Sequence, residues 1–197
     1  MNYNIQKLSE DFPIFLIENF NTIDDNLRNH LSSIVLYCKK KNHFGHSGGS
    51  FLVDFDYDNF FKTSYEKFKD ITRHMFNDCH FLWDYQPIYS YCSNKSNHGL
   101  GVIHNHINTS TINSVYYLNV PKLATNEKGS ISFFKDDKIF TYKPNNDDLL
   151  IFPDYLDHKI NNYDIDDEWR ISINMEITCI ETSDELFNRI INNITHT

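Results

Sequence analysis

The chain has 197 residues, of which 40% are hydrophobic, 15% aromatic and 23% charged. That is enough apolar material to enclose one sizeable core and too little charge for a disordered tail. Eighteen Lys plus Arg against 27 Asp plus Glu leave a formal net charge of −9, the wrong sign for a protein that gains affinity by neutralising phosphates, so nucleic acid is not an expected partner. Met1 to Lys7 lacks a basic stretch followed by an apolar run, and nothing later approaches the roughly 18 uninterrupted apolar residues of a membrane span. A cytoplasmic chain with no membrane partner is therefore expected. Cys38, Cys79, Cys92 and Cys179 are far apart and form no Cys-x-x-Cys pair, which predicts reduced thiols rather than a disulfide frame or a zinc knot.

In chain order, the first third reads as helical. From Asp24 to Cys38 the residues Leu27, Leu31, Ile34, Val35 and Cys38 make one stripe at helical spacing, with Thr22 and Asp24 as candidate caps. A second stripe, Phe61, Tyr65, Phe68, Thr72, Met75 and Phe76, follows Asp58. Between them, His43 to Ser50 holds half of the six glycines; a flexible loop is expected, with a lid over a site as its functional version.

Beyond this point the pattern changes to short strands. They are predicted near Phe51 to Phe55, Pro87 to Cys92, Gly101 to His106, Asn113 to Val120, Ser130 to Phe134, Lys138 to Tyr142, Asp148 to Phe152, His158 to Asn161 and Trp169 to Thr178. The last alternates Ile171, Ile173, Met175 and Ile177 with Arg170, Ser172, Asn174 and Glu176, so the two sets face opposite sides. Ser183 to Ile191 closes the chain as a short helix. This many short strands predict a sandwich or barrel. With no internal repeat or linker, one domain is expected over 1–197: a helical part to residue 84, a β core over 85–178 and an extension over 179–197.

Three of the ten histidines stand where geometry favours a common target. His104 and His106, two apart on the predicted strand, project from one face, and His158 on a neighbouring strand completes a set of three imidazoles. Such a set suits Fe, Zn, Cu or Ni and leaves positions open for substrate or water. Arg170 lies 12 residues beyond His158 and shares a strand face with Ser172, an arrangement able to hold a carboxylate by a two-pronged contact. The competing expectation for Arg170 is a surface ion pair with the acidic run Asp164, Asp166, Asp167 and Glu168.

The run Ile103-His104-Asn105-His106, then Ser114 to Pro121, Gly129 to Phe133, Leu149 to Pro153 with Asp157-His158, and Trp169 to Ile173 resembles the core of the 2-oxoglutarate and Fe(II)-dependent oxygenases. It is most similar to the subgroup with His-x-His where most members have His-x-Asp. The resemblance covers residues 85–178. It implies a mainly β fold with flanking α-helices, a double-stranded β-helix of the jelly-roll, cupin-like barrel type. By resemblance, His104 and His158 match the two imidazole ligands of Fe(II), and His106 takes the place of the usual carboxylate. Arg170 matches the base that binds the distal carboxylate of 2-oxoglutarate, assisted by Ser172, with Tyr91 and Tyr117 as further cosubstrate contacts.

The activity so implied uses 2-oxoglutarate and O2 as cosubstrates. It hydroxylates a C–H bond with release of succinate and CO2, and needs no catalytic side chain beyond the metal ligands. Exchanging a carboxylate for imidazole at 106 removes a negative charge from the ion's surroundings, which is expected to lower resting metal affinity. Two alternatives stay open: a three-histidine zinc or iron enzyme that does not use 2-oxoglutarate, and a jelly-roll binding module without turnover. The substrate, a small molecule or a protein side chain, is not readable from the sequence, and neither is a homodimer.

Overall fold

The computed structural model describes residues 3–41, 50–77, 79–93, 102–161 and 168–194. All but Ser50 of the glycine-rich segment, Gly101, and the acids Asp164, Asp166 and Asp167 lie outside the described residues. The elements are β1 (Ile5–Lys7), β2 (Phe15–Ile17), α1 (Asp25–Lys41), β3 (Ser50–Val53), α2 (Asn59–Met75), β4 (Ile88–Ser93), β5 (Ile112–Asn119), β6 (Ile131–Lys135), β7 (Lys138–Tyr142), β8 (Leu149–Pro153), β9 (Asp157–Ile160), β10 (Arg170–Ile177) and α3 (Ser183–Ile194).

Both long helices begin at the expected aspartates. The Asp24 carboxylate accepts the Leu27 N–H at 2.8 Å and the Asp58 carboxylate accepts that of Phe60 at 2.9 Å, each satisfying a donor that the first helical turn leaves without a partner. Leu31, Val35 and Cys38 of α1 and Phe61, Tyr65 and Phe68 of α2 enter one core with the outer face of the larger sheet. Leu27 stays partly exposed at 37%. Its neighbour Arg28 is buried instead, with Nη2 2.8 Å from Asp147. At the other end of the chain, α3 presses Phe187 between Phe15 and Phe76.

The larger sheet has seven strands in the order β1-β2-β8-β5-β10-β4-β3, and the smaller has three in the order β7-β6-β9. All pairings are antiparallel. A second core joins Val115, Tyr117, Leu150 and Phe152 of the larger sheet to Ile131 and Phe133 of the smaller one. The layers therefore run helices, large sheet, small sheet. This is the expected jelly-roll architecture, although among the described residues the two sheets are not hydrogen-bonded into a closed barrel. The alternation of β10 is obeyed: Ile171, Ile173, Met175 and Ile177 enter the helix-side core, which leaves Arg170, Ser172, Asn174 and Glu176 facing the space between the sheets.

Two expectations need correction. The first third is not purely helical, because β1 and β2 precede α1 and β2 pairs with β8. Phe15, Leu16 and Ile17 are buried on both faces of the strand, so no polar alternation marks it. The strand foreseen at Gly101 to His106 is reduced, over 102–106, to an isolated bridge between His104 and His158. Past that bridge the His106 N–H donates to the Asp154 carbonyl and the His106 carbonyl accepts from Thr109, which turns the chain away. No helix among the described residues is long and apolar enough to cross a membrane, and all four cysteines are free thiols.

Candidate metal and anion site

The three histidines converge. One ring nitrogen from each of His104, His106 and His158 lies within 4.8 Å of the other two, in a group able to hold a metal ion. The backbone sets two of them side by side: His104 and His158 exchange N–H···O bonds of 3.0 and 2.9 Å, and their ring centroids are 4.4 Å apart. His106 reaches the group from the turn, its ring parallel to that of His158 at 5.2 Å. His158 is the buried member, edge-on to Phe152 at 4.9 Å and beside Phe133 at 5.9 Å.

Two of the rings are fixed in the same tautomer by a carbonyl oxygen that can only accept. Nδ1 of His104 lies 3.1 Å from the Val102 carbonyl and Nδ1 of His158 lies 2.9 Å from the Leu156 carbonyl, while Nδ1 of His106 stands 3.0 Å from a Glu176 carboxylate oxygen, at ion-pair distance. The proton therefore sits on Nδ1 of His104 and His158, whose Nε2 atoms keep the lone pair that metal ligation requires. Burial, reinforced by the charges of His104 and His106, pushes the His158 imidazolium down to about 3, and burial also lowers His104. Neutral imidazoles are the ligating form, so the donor set fits a divalent transition metal.

At the far end of the same β10 face, Arg170 is completely buried, so it is not the surface side chain that the competing expectation required; of the acidic run only Glu168 lies among the described residues. Its Nε–H donates to the Gly129 carbonyl at 2.8 Å, its Nη1 reaches the Ser172 hydroxyl at 3.4 Å, and its Cζ stands 5.2 Å from the Tyr117 ring centroid. Gly129 has φ 76°, a conformation that a side chain would oppose and that presents this carbonyl to the arginine. Among the described residues Nη2 of Arg170 has no well-formed hydrogen-bond partner. Burial lowers the guanidinium, but an arginine keeps its proton in proteins.

The expected cosubstrate contacts gather around this charge. Ser172 pairs with Tyr91 of β4 on one side and Tyr117 of β5 on the other. The Tyr117 hydroxyl is buried without a well-formed hydrogen bond, and burial raises it against the pull of Arg170. Two more unpartnered atoms lie on the same inward faces, Nδ2 of Asn113 and Oδ1 of Asn174. Sequence reasoning missed these two and also Glu176; the only signal was that their positions share the parity of Tyr117 and Arg170.

No protein-family model and no curated protein matches the chain. Solved structures do match it. A prolyl hydroxylase from Trichoplax adhaerens, in complex with a hypoxia inducible factor oxygen degradation domain peptide, aligns at TM-score 0.59 and 14% identity over 84% of this chain and 83% of its own. A Pseudomonas putida prolyl-4-hydroxylase aligns at 0.57 and 11% identity over 85% and 92%. HygX from Streptomyces hygroscopicus, with nickel and 2-oxoglutarate bound, aligns at 0.58 and 10% identity over 90% and 89%.

The fold is the jelly roll of these solved structures. The resemblance read from the sequence thus holds at the level of the jelly roll. Within that fold, this chain brings three histidines together near the end of β10 where Glu176 stands and a buried arginine at the end where Arg170 stands.

Proposed function

We propose that the protein is an Fe(II)- and 2-oxoglutarate-dependent oxygenase that hydroxylates a C–H bond of a small molecule or protein side chain. The observation that carries this reading is the fully buried Arg170 guanidinium, whose Nη2 has no well-formed partner among the described residues, on the strand face that leads to the histidines. A buried charge is costly to desolvate, and an anionic ligand between the sheets offsets that cost. A dicarboxylate that chelates a metal at one end and meets Arg170 at the other answers both features. Fe(II), O2 and 2-oxoglutarate together supply the oxidation: one oxygen atom enters the C–H bond, the other enters succinate, and CO2 leaves.

The residues of the chain then have separate tasks. His104, His106 and His158 would hold the ion, with His104 and His158 oriented by the carbonyls that accept from Nδ1 and His106 by the Glu176 carboxylate beside it. Arg170, braced by Gly129 and Ser172, anchors the distal carboxylate, with Tyr117 and Tyr91 completing its surroundings. Phe133 and Phe152 keep water from the inner side of His158. No side chain needs to act as acid or base.

The test is anaerobic addition of Fe(II) and 2-oxoglutarate, read as a weak visible charge-transfer band, followed by succinate release under air with candidate substrates. An Arg170→Ala variant that binds 2-oxoglutarate as tightly as the parent sinks the assignment. Metal-dependent turnover indifferent to 2-oxoglutarate supports the three-histidine enzyme of the other kind instead.

A further inference from the structure

The three imidazoles are not equivalent. Those of His104 and His158 donate their Nδ1–H to neutral backbone carbonyls, whereas that of His106 faces the carboxylate of Glu176 at 3.0 Å. Both members of this pair are largely shielded, at 18% and 14% side-chain exposure, so solvent screens the carboxylate only weakly. The Glu176 backbone is itself held on two sides: its carbonyl accepts the Tyr65 hydroxyl at 3.1 Å, and its residue pairs with Asn113 across β5. The other acid near the rings, Asp157, is engaged by the Asn105 amide at 2.8 Å.

A divalent ion held by three neutral imidazoles receives no negative charge from its ligands. A carboxylate beside the far nitrogen of one imidazole raises the basicity of that ring toward the metal. We infer that Glu176 is a positioning residue of the metal centre, steering the His106 ring by its charge and placing beside that ring the negative charge that the ligand set lacks. The inference rests on the metal-site reading above and adds a fourth residue to it, from a different strand. It also sets against the expected penalty of imidazole at 106 a carboxylate that stands beside the ring, 3.0 Å from Nδ1, instead of on the ion.

Full-length, metal-stripped protein is titrated with Ni(II) by calorimetry, and the visible spectrum is recorded with Co(II). Glu176→Gln keeps the size and polarity of the side chain beside His106 and removes its charge. Its Ni(II) affinity is expected to fall about 10- to 100-fold, with altered Co(II) bands and with melting of the metal-free protein unchanged. The double variant Glu176→Gln/His106→Asp places a carboxylate on the ion directly and is expected to regain most of that loss. Ni(II) affinity within about twofold of the parent in Glu176→Gln, or no recovery in the double variant, overturns the role given to Glu176 while leaving the metal centre standing. A parent protein that takes up neither ion overturns both.

Discussion

Tyr117 lies against the guanidinium of Arg170, 5.2 Å from ring centroid to Cζ, and its hydroxyl is buried without a well-formed hydrogen bond. The pair couples a buried charge to a buried hydroxyl. Tyr117→Phe should leave the stability of the ligand-free protein equal or slightly higher, since no well-formed hydrogen bond is lost. Affinity for 2-oxoglutarate should drop several-fold, the worth of one hydrogen bond at about 1 kcal/mol. Calorimetric titration alongside a urea melt separates the two effects.

Arg170→Ala should be far more selective for the cosubstrate than for the metal. Losing a charge-assisted, two-pronged contact of about 3 kcal/mol raises the Kd for 2-oxoglutarate roughly 100-fold, while Ni(II) affinity, measured without 2-oxoglutarate, stays near that of the parent. Equal losses of both ligands would show instead that the substitution had collapsed the space between the sheets.

Protons should destabilise the metal-free protein through His158. Its folded value, near 3, lies below the ordinary value of 6.5 chiefly because of burial. The unfolded chain therefore binds the extra proton between those values, so the stability present above pH 6.5 is lost progressively as pH falls toward 3. Urea melts of metal-stripped protein at pH 7.5, 6.0 and 5.0 should show the decline, and His158→Leu should flatten it. Bound Ni(II) should raise the melting temperature, by mass action on the folded state.

Gly129→Ala tests the brace behind Arg170. A Cβ at φ 76° should cost about 1 to 2 kcal/mol of stability. Because the carbonyl of this residue receives the Arg170 Nε–H, affinity for 2-oxoglutarate should fall as well, whereas Ni(II) affinity should not.

Arg28→Leu leaves the Asp147 carboxylate without its buried counter-ion and should destabilise the fold by about 3 to 5 kcal/mol. The double variant Arg28→Leu/Asp147→Asn should recover much of the loss, and neither should move metal affinity in protein that remains folded.

What the sequence disclosed depended on whether one residue's neighbours were close along the chain. The helical stripes, the capping aspartates and the alternation of β10 are local patterns, and they match the structure except at Leu27, which is exposed while Arg28 is buried. β2 escaped notice because a strand buried on both faces has no polar alternation, and β1 because Ile5–Lys7 is too short for a period to show. The histidines were picked out for a reason that proved incomplete: strand geometry was to align His104 with His106, yet it is the bridge to His158 and a turn that unite the rings. Glu176 was visible only as a polar residue on an inward face. Its meeting with His106, 70 positions away in number, is a product of β10 crossing the sheet beside β5.

The reciprocal main-chain bonds between His104 and His158 carry one last implication. Two of the three donors are tethered through atoms that no side-chain substitution deletes, so either imidazole can be exchanged for another group while the distance between their anchor points is kept. The scaffold thus offers a ready frame for grafting different coordinating chemistries, with His106 and its acidic companion as the adjustable third arm.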